Sequence, residues 1–178
     1  MKTRGGRSMA LIFVGLVGSV AWSTFNAQPK SAAGGDEPIR LVKPRFIGRD
    51  DKGRAFVLTA ESAIRDRLDY QRVMLTKPAL VLDEGGPDEM RINGAQGIFH
   101  EQNSKLELSG GVRMADTKNA FATAASLFDA KTGEVIGSGP IQGAGGLGEI
   151  NAKSYGVYDK GDRMVFKGGV QTRIETKK

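Results

Sequence analysis

Apolar and polar residues alternate with a period of two in short stretches along most of this chain. Three stretches, 55–59, 105–109 and 162–167, each place two apolar side chains on one face: Phe56 and Leu58, Leu106 and Leu108, Met164 and Phe166. This period is typical of half-buried β-strands. After residue 38 no stretch has the length and 3.6-residue spacing of an amphipathic helix. The pattern therefore predicts an all-β domain.

Turn sequences separate these stretches. They are rich in Asp, Gly and Lys, and they occur at 50–53, 83–87, 131–133 and 159–162. Such residues favour tight turns. The strands are therefore expected to join their sequence neighbours as hairpins and meanders.

A longer pattern recurs four times. A small residue is followed four positions later by an apolar one, then by a polar turn, and then by a strand that ends at Gly or Pro with an apolar residue after it. The four copies are Ala60/Ile64/Pro78/Ala79, Ala95/Phe99/Gly111/Val112, Ala124/Phe128/Pro140/Ile141 and Ser154/Tyr158/Gly169/Val170. The last three end 29 residues apart. Such an interval indicates a stacked supersecondary unit, so the domain is expected to be elongated.

The composition is that of one modest domain. The chain has 178 residues, of which 25 are Gly and 39% are hydrophobic, and it contains no Cys. Without Cys there are no disulfides, thiolate zinc sites or Cys nucleophiles. We expect neither a metal site nor a cofactor.

The N-terminal region contains an uncharged apolar run at residues 9–25, preceded by Lys2, Arg4 and Arg7. Seventeen residues of helix span about 26 Å, at the short end of what crosses a bilayer. The basic residues 1–8 are expected to stay in the cytoplasm. Residues 26–38 have the composition of a flexible linker, and residues 39–176 are expected to form a periplasmic domain of a single-pass inner-membrane protein. Gly15 and Gly18 are candidates for packing against another membrane helix.

A cleaved signal peptide has a similar basic start and apolar stretch. Cleavage after Ala27 would place Phe25 where a small residue is needed, and cleavage after Ala33 lies far from the apolar run. The residues therefore favour a retained helix over a cleaved signal.

The net charge of +6 does not indicate nucleic-acid binding. Residues 1–30 contain four basic residues and no acidic ones, so the remainder of the chain is nearly balanced. No basic run is interleaved with aromatic residues. The net positive charge comes mainly from the basic residues that flank the apolar run.

Residues 143–148 read G-x-G-x-x-G, which binds dinucleotides when a strand enters it and a helix leaves it. Here the following residues alternate as a strand, so a turn or bulge is favoured. His100 is the single histidine and occupies the repeat position that Asp129 and Asp159 occupy in later copies. A repeat position filled by either His or Asp is typical of a turn, in which each Asp caps its own backbone. We therefore favour turns over a catalytic histidine and over a pair of glycosidase carboxylates. No catalytic residue is predicted.

The remaining candidates are apolar. A sheet folded lengthwise would enclose a trough suited to acyl chains. The trough candidates are Phe46, Phe56, Leu58, Phe99, Leu106, Leu108, Phe121, Phe128 and Phe166. From sequence alone they are first of all core residues.

The short apolar helix, the segment from Lys43 to Ala60 (KPRFIGRDDKGRAFVLTA), and repeats of the form A-x-x-Φ-Φ…L-x-G-x-V together resemble the LptC family. The resemblance extends from Met9 to Ile174. Its strongest pieces are residues 44–60, 95–114 and 154–174.

The resemblance implies an elongated twisted β-jellyroll, open along one side like a taco, that shields the acyl chains of lipopolysaccharide without hydrolysing anything. It implies that permease subunits of an inner-membrane ABC transporter supply the lipid. It also implies that a periplasmic bridge protein of the LptA type receives the lipid. The bridge protein would pair with the last strand, at Val170, Thr172 and Ile174.

Two other functions remain open from the sequence. A periplasmic β-solenoid polysaccharide hydrolase would use carboxylates such as Asp129. A structural adaptor would bind no ligand.

Overall fold

The computed structural model describes residues 38–146 and 148–174. These residues form eighteen β-strands in two antiparallel sheets of nine strands each. Apart from a 3₁₀ turn at Asp159–Gly161, the described residues contain no helix. The predicted all-β fold is confirmed, while the predicted apolar helix at 9–25 lies outside the described residues.

Sheet 1 consists of nine strands, in spatial order β1 (Arg40–Val42), β4 (Ser62–Arg65), β5 (Arg72–Thr76), β8 (Gln96–His100), β9 (Lys105–Ser109), β12 (Ser126–Asp129), β13 (Glu134–Gly137), β16 (Ser154–Tyr158) and β17 (Arg163–Lys167). Sheet 2 consists of β2 (Arg45–Arg49), β3 (Ala55–Thr59), β6 (Ala79–Leu82), β7 (Met90–Asn93), β10 (Val112–Ala115), β11 (Asn119–Thr123), β14 (Ile141–Gly145), β15 (Gly148–Ala152) and β18 (Gln171–Arg173). Neither sheet closes on itself, as expected of a taco-like jellyroll.

The chain alternates between the two sheets. It forms a hairpin in one sheet, crosses to the other sheet, and forms the next hairpin there. The predicted hairpins are present, but the predicted meanders are not. After each hairpin the chain leaves the sheet, because short connections at Pro or Gly, such as Lys77-Pro78 and Gly110-Gly111, turn it into the other sheet.

The repeat marks these crossings. Ala60, Ala95 and Ala124 each stand where the chain passes from sheet 2 to sheet 1, and Pro78 and Pro140 stand where it returns. All crossings lie along one long side of the stack, and all hairpin turns lie along the other. The two sheets are thus joined covalently along the crossing side, and the hairpin-turn side is held only by non-covalent contacts.

The core lies between the sheets. Leu80, Ile92, Leu106, Val112 and Val135 are fully buried there. Alternation within strands accounts for this arrangement, since Leu106 and Leu108 point inward while Glu107 between them is exposed. The interior is therefore a continuous apolar layer that runs the length of the stack.

Candidate functional site

The predicted trough residues all belong to the interior between the two sheets. Six are buried in its core: Phe56, Leu58, Leu106, Leu108, Phe121 and Phe128. Three are half-buried and pack against that core: Phe46, Phe99 and Phe166. The structure thus brings residues that are distant in sequence into one apolar layer. Their role in binding lipid remains a prediction.

Two aromatic contacts cross this layer. Phe56 of sheet 2 meets Phe128 of sheet 1 edge to face, with ring centroids 5.0 Å apart. Phe121 of sheet 2 lies against Phe166 of sheet 1, with centroids 5.7 Å apart. The first contact joins β3 to β12. The second lies where the interior opens toward the C-terminal end.

A cavity of about 590 Å³ occupies that C-terminal end. Its apolar wall consists of Phe121, Ile150, Met164, Phe166 and Ile174. Its size falls within the range typical of sites for small and lipid-like ligands. The cavity is lined by both sheets and is open to solvent, so an acyl chain could enter it from water and contact the apolar wall.

The rim of the cavity is acidic. Among the residues lining the cavity are the carboxylates of Asp88, Asp116, Glu149 and Asp162, together with Lys118. A hydrogen bond with the Asp88 carboxyl raises the pKa of Asp162. Slight desolvation and the negative charges of Asp88, Asp159 and Asp83 raise this pKa further. In contrast, hydrogen bonds from Asn119 and Lys118 lower the pKa of Asp116 against the opposing effect of burial.

The interior also opens at the N-terminal end. A smaller groove of about 310 Å³ is lined by Ile39, Leu41, Ala63, Arg65 and Val73. The Arg65 guanidinium donates to both Glu101 carboxylate oxygens, at 2.8 and 2.7 Å. This hydrogen-bonded ion pair raises the pKa of Arg65. The groove therefore has an apolar floor and a fixed ion pair at its edge.

Between these two openings, contacts across the hairpin-turn side join the sheets. We call the group of Asp50, Asp51, Arg54, Thr132 and Asp159 the clasp. The Asp51 amide donates to the Lys131 carbonyl at 2.7 Å, and Arg54 Nη2 donates to the Thr132 carbonyl at 2.6 Å. Arg54 Nη1 also lies 3.7 Å from Asp159 Oδ1. The β2–β3 turn of sheet 2 is thereby fastened to the β12–β13 and β16–β17 turns of sheet 1.

Asp50 organises the clasp from within its own turn. Its carboxylate accepts hydrogen bonds from the amides of Lys52 and Arg54, at 3.0 and 2.8 Å, and from Arg54 Nε. The Asp50 side chain is only 2% exposed, while that of Arg54 is 15% exposed. A buried carboxylate needs such partners, and it fixes the direction in which Arg54 points.

The other predicted sites behave as turns. Gly143–Gly148 contributes the ends of β14 and β15, so a strand leaves the motif and no helix N-terminus is available for a pyrophosphate. His100 ends β8, and its Nε2 lies 3.1 Å from Glu107 Oε1. The Asp129 carboxylate accepts from the Lys131 amide at 2.9 Å, which is the predicted cap.

Asp159 has partners that the sequence did not predict. Its carboxylate faces cations: Lys52 Nζ and Arg54 Nη1 at 3.7 Å, and Arg163 Nε at 3.4 Å. The reason is tertiary, because the β2–β3 turn brings two basic side chains against it. Within residues 38–146 and 148–174, no group of three or more His, Cys, Asp or Glu side chains is arranged to hold a metal ion.

The C-terminal strand β18 is the edge of sheet 2. It pairs with β15 through Ile150 opposite Thr172, and its other side has no neighbouring strand among the described residues. The strand includes Thr172 of the three predicted positions, while Val170 and Ile174 flank it, and residues 175–178 lie outside the described part. Val170 and Ile174 are 45% and 72% exposed.

Sequence reasoning missed the clasp and the acidic rim. It identified residues 50–53 as a turn, but it gave Arg54 no role. The one signal was the composition of the segment from Asp50 to Arg54, in which four of the five residues are charged. A tight turn alone does not need that many charged side chains. Their partners, Thr132 and Asp159, could not be identified without knowing which turns meet.

The described residues contain no helix with the length and hydrophobicity needed to span a bilayer. An unclosed two-sheet β-jellyroll with a continuous apolar interior is the architecture expected of a protein that shields a lipid from water.

Residues 9–175 match the family described as lipopolysaccharide-assembly, LptC-related. This is nearly the whole chain, and the protein therefore belongs to the LptC family, as its sequence pattern predicted. A comparison with curated proteins finds no significant match. Members of this family are components of lipopolysaccharide transport, and the family is not one of enzymes. They are periplasmic proteins anchored in the inner membrane.

Proposed function

We propose that this protein is a non-enzymatic lipopolysaccharide carrier, which receives the lipid from an inner-membrane ABC transporter and passes it through its apolar interior to a periplasmic bridge protein. The observation that supports this most directly is the cavity at the C-terminal end, with Phe121 and Phe166 on its wall and the apolar layer behind it. Each methylene removed from water contributes about 0.8 kcal/mol. A lipid with several acyl chains therefore needs such shielding throughout its transfer.

The route runs between the two sheets. The N-terminal groove beside Leu41 and Val73 is the entrance, and the cavity beside Phe166 is the exit. Acyl chains occupy the interior, and the sugars stay outside the hairpin-turn side. The permease subunits deliver the lipid at the entrance.

At the exit, the edge strand β18 is the contact for the bridge protein. An exposed edge offers backbone groups for pairing with another strand. Strand addition here would continue sheet 2 into the partner, so that the apolar interiors of the two proteins become continuous.

Photo-cross-linking tests the lipid route. Benzoylphenylalanine at Phe166 should form an adduct with lipopolysaccharide in cells, because the side chain lines the cavity. A matched probe at Ile136 should not, because that side chain is 44% exposed on the outer face of sheet 1. Equal adducts at both positions would contradict an interior route, and adducts at neither would favour a ligand-free adaptor.

The N-terminal segment anchors the domain. Residues 9–25 remain as a single membrane-spanning helix with the N-terminus in the cytoplasm, and Gly15 and Gly18 allow close packing against the permease. N-terminal sequencing of the protein extracted from membranes should recover the original N-terminus. A sequence that begins after Ala27 or Ala33 would disprove retention.

A further inference from the structure

The clasp lies on the hairpin-turn side, next to the Phe56–Phe128 contact. Arg54 and Phe56 are two residues apart on sheet 2, and Phe128 comes just before the turn that contains Thr132 on sheet 1. The Phe56–Phe128 contact therefore closes the interior just inside the hairpin-turn side, and the clasp joins the turns outside it. Together they hold the two sheets against each other along this part of the hairpin-turn side.

The two long sides of the stack differ in how they are closed. On the crossing side the backbone itself connects the sheets, so that side cannot open without unfolding. On the hairpin-turn side the clasp consists of hydrogen bonds and ion pairs, among them the pair of Arg54 with Asp159, whose side chain is 47% exposed. Ion pairs of this exposure contribute little individually, so they can separate and re-form while both sheets stay folded.

We propose that the clasp is a latch, which must release before an acyl chain can pass between Phe56 and Phe128. This inference rests on the proposed lipid route. Arg54 is a positioning residue in the latch, held by Asp50 and fastened to the Thr132 carbonyl and the Asp159 carboxylate. A closed latch divides the route into two compartments, and an open latch joins them.

Gly133 shows how closely the two turns fit. Its φ of +71° favours glycine, and a Cβ added there would lie 2.6 Å from Asp50 Oδ2 and 3.0 Å from Arg54 Nη2. Any side chain at this position would push the clasp apart. Gly53 in the β2–β3 turn has a similar φ of +77°, but a Cβ there would have no atom within 4 Å. Substituting Gly133 therefore strains the backbone and also pushes the clasp apart, whereas substituting Gly53 only strains the backbone.

The test is a reversible lock on the full-length chain in detergent, with purified lipopolysaccharide as the probe. Because the protein has no native Cys, Asp51→Cys with Lys131→Cys can be joined by a short bis-thiosulfonate reagent across the two turns. Thiol titration confirms that the link has formed. Glu61→Cys with Lys77→Cys is the matched control, because it links two exposed side chains on the crossing side, where the backbone already joins the sheets.

The readout is photo-cross-linking from benzoylphenylalanine at two positions. At Phe56, beneath the latch, locking should lower the lipid adduct at least about tenfold, and reduction should restore it. At Phe166, in the open cavity, locking should change little. The control link should affect neither position. An undiminished adduct at Phe56 in the locked protein would overturn the latch, whereas the absence of adducts at both positions in the unlocked protein would overturn the lipid route itself.

Gly133→Ala tests whether loosening the latch increases the access of lipid to Phe56. It should increase the adduct at Phe56 relative to Gly53→Ala, since both changes impose similar backbone strain and only the first pushes against Asp50 and Arg54. Equal adducts from the two variants would contradict a latch at this place.

Discussion

Phe56 and Phe128 meet edge to face across the two sheets, with ring centroids 5.0 Å apart. Phe128 is only 1% exposed and Phe56 only 7%. The pair contributes to the core of the folded domain, and in the proposed mechanism it is also the place where a transported acyl chain has to part the two sheets. Stability and transport therefore depend on the same contact.

Phe128→Ala should lower the free energy of unfolding by about 3–5 kcal/mol, because it removes a fully buried ring and leaves a cavity. Urea unfolding followed by circular dichroism measures this change. Ile136→Ala on the outer face of sheet 1 is the control and should cost far less. A double-mutant cycle with Phe56→Ala should give a coupling of about 0.5–1.5 kcal/mol. A cycle without coupling would mean that the two rings do not meet in solution.

The proposed apolar route for lipopolysaccharide can be tested with two substitutions, Phe128→Arg and Phe99→Asp. Each places a charge in the apolar layer, which is costly unless the charge is paired. We expect variants that remain folded by circular dichroism to lose lipopolysaccharide transport. A folded variant with normal transport would rule out an apolar route at that position.

Arg54→Ala should destabilise the domain by about 3 kcal/mol, toward the lower end of the range for breaking a buried ion pair. The reason is that the Asp50 carboxylate loses its charged partner but keeps two backbone donors. Thermal or urea unfolding checks this prediction. Arg163→Ala is the matched control, since Arg163 pairs with the same Asp159 but is exposed. Equal losses from the two variants would contradict a special role for Arg54.

Gly143→Ala should disturb the cavity wall. A Cβ at this position would lie 2.1 Å from Phe121 Cδ1, so the ring must move. Such overpacking costs about 1–3 kcal/mol, and it should also reduce the lipid adduct at Phe166. Gly139→Ala has no atom within 4 Å of the added Cβ and should change neither quantity. A normal adduct in the Gly143 variant would place the lipid away from Phe121.

The Asp88–Asp162 contact should make stability depend on pH. Because the pKa of Asp162 is raised in the folded protein, its contribution to stability is fully present below the pKa of the unfolded chain, and it is lost as the pH rises through the higher folded value. Asp162→Asn removes the ionised form, so it should stabilise the domain at pH 7 and lose that advantage under acid conditions. Urea unfolding of both proteins across this range measures the difference. A benefit independent of pH would exclude carboxylate repulsion as its cause.

Thr172→Pro should weaken capture of the bridge protein. Proline removes an amide from β18 and is poorly tolerated within a paired strand, and Val170→Pro and Ile174→Pro should act in the same direction. Val42→Pro in β1, an edge strand at the opposite end, is the matched control. A chain truncated after Gly168 that captures the partner at full yield would place the contact elsewhere.

The sequence alone determined the elements of this fold. Period-two alternation located β3 and β9 with their observed bounds, whereas only the structure shows that the repeat residues Ala95 and Ala124 stand where the chain changes sheets. Local patterns succeed here because side-chain direction in a strand follows from the backbone geometry of that strand. The resemblance to the LptC family was likewise drawn from local motifs, such as residues 44–60.

Only the tertiary structure decided which elements meet. Alternation shows that Phe56 and Phe128 point inward, but not that they face each other. Arg54 reaches the carbonyl of Thr132, which is 78 residues away, and Asp159 faces cations that the sequence did not predict. Several inward-facing strands could have satisfied the same pattern. The twist of the two sheets, which brings distant turns together, selects the pairs that form the clasp and leaves the C-terminal cavity open.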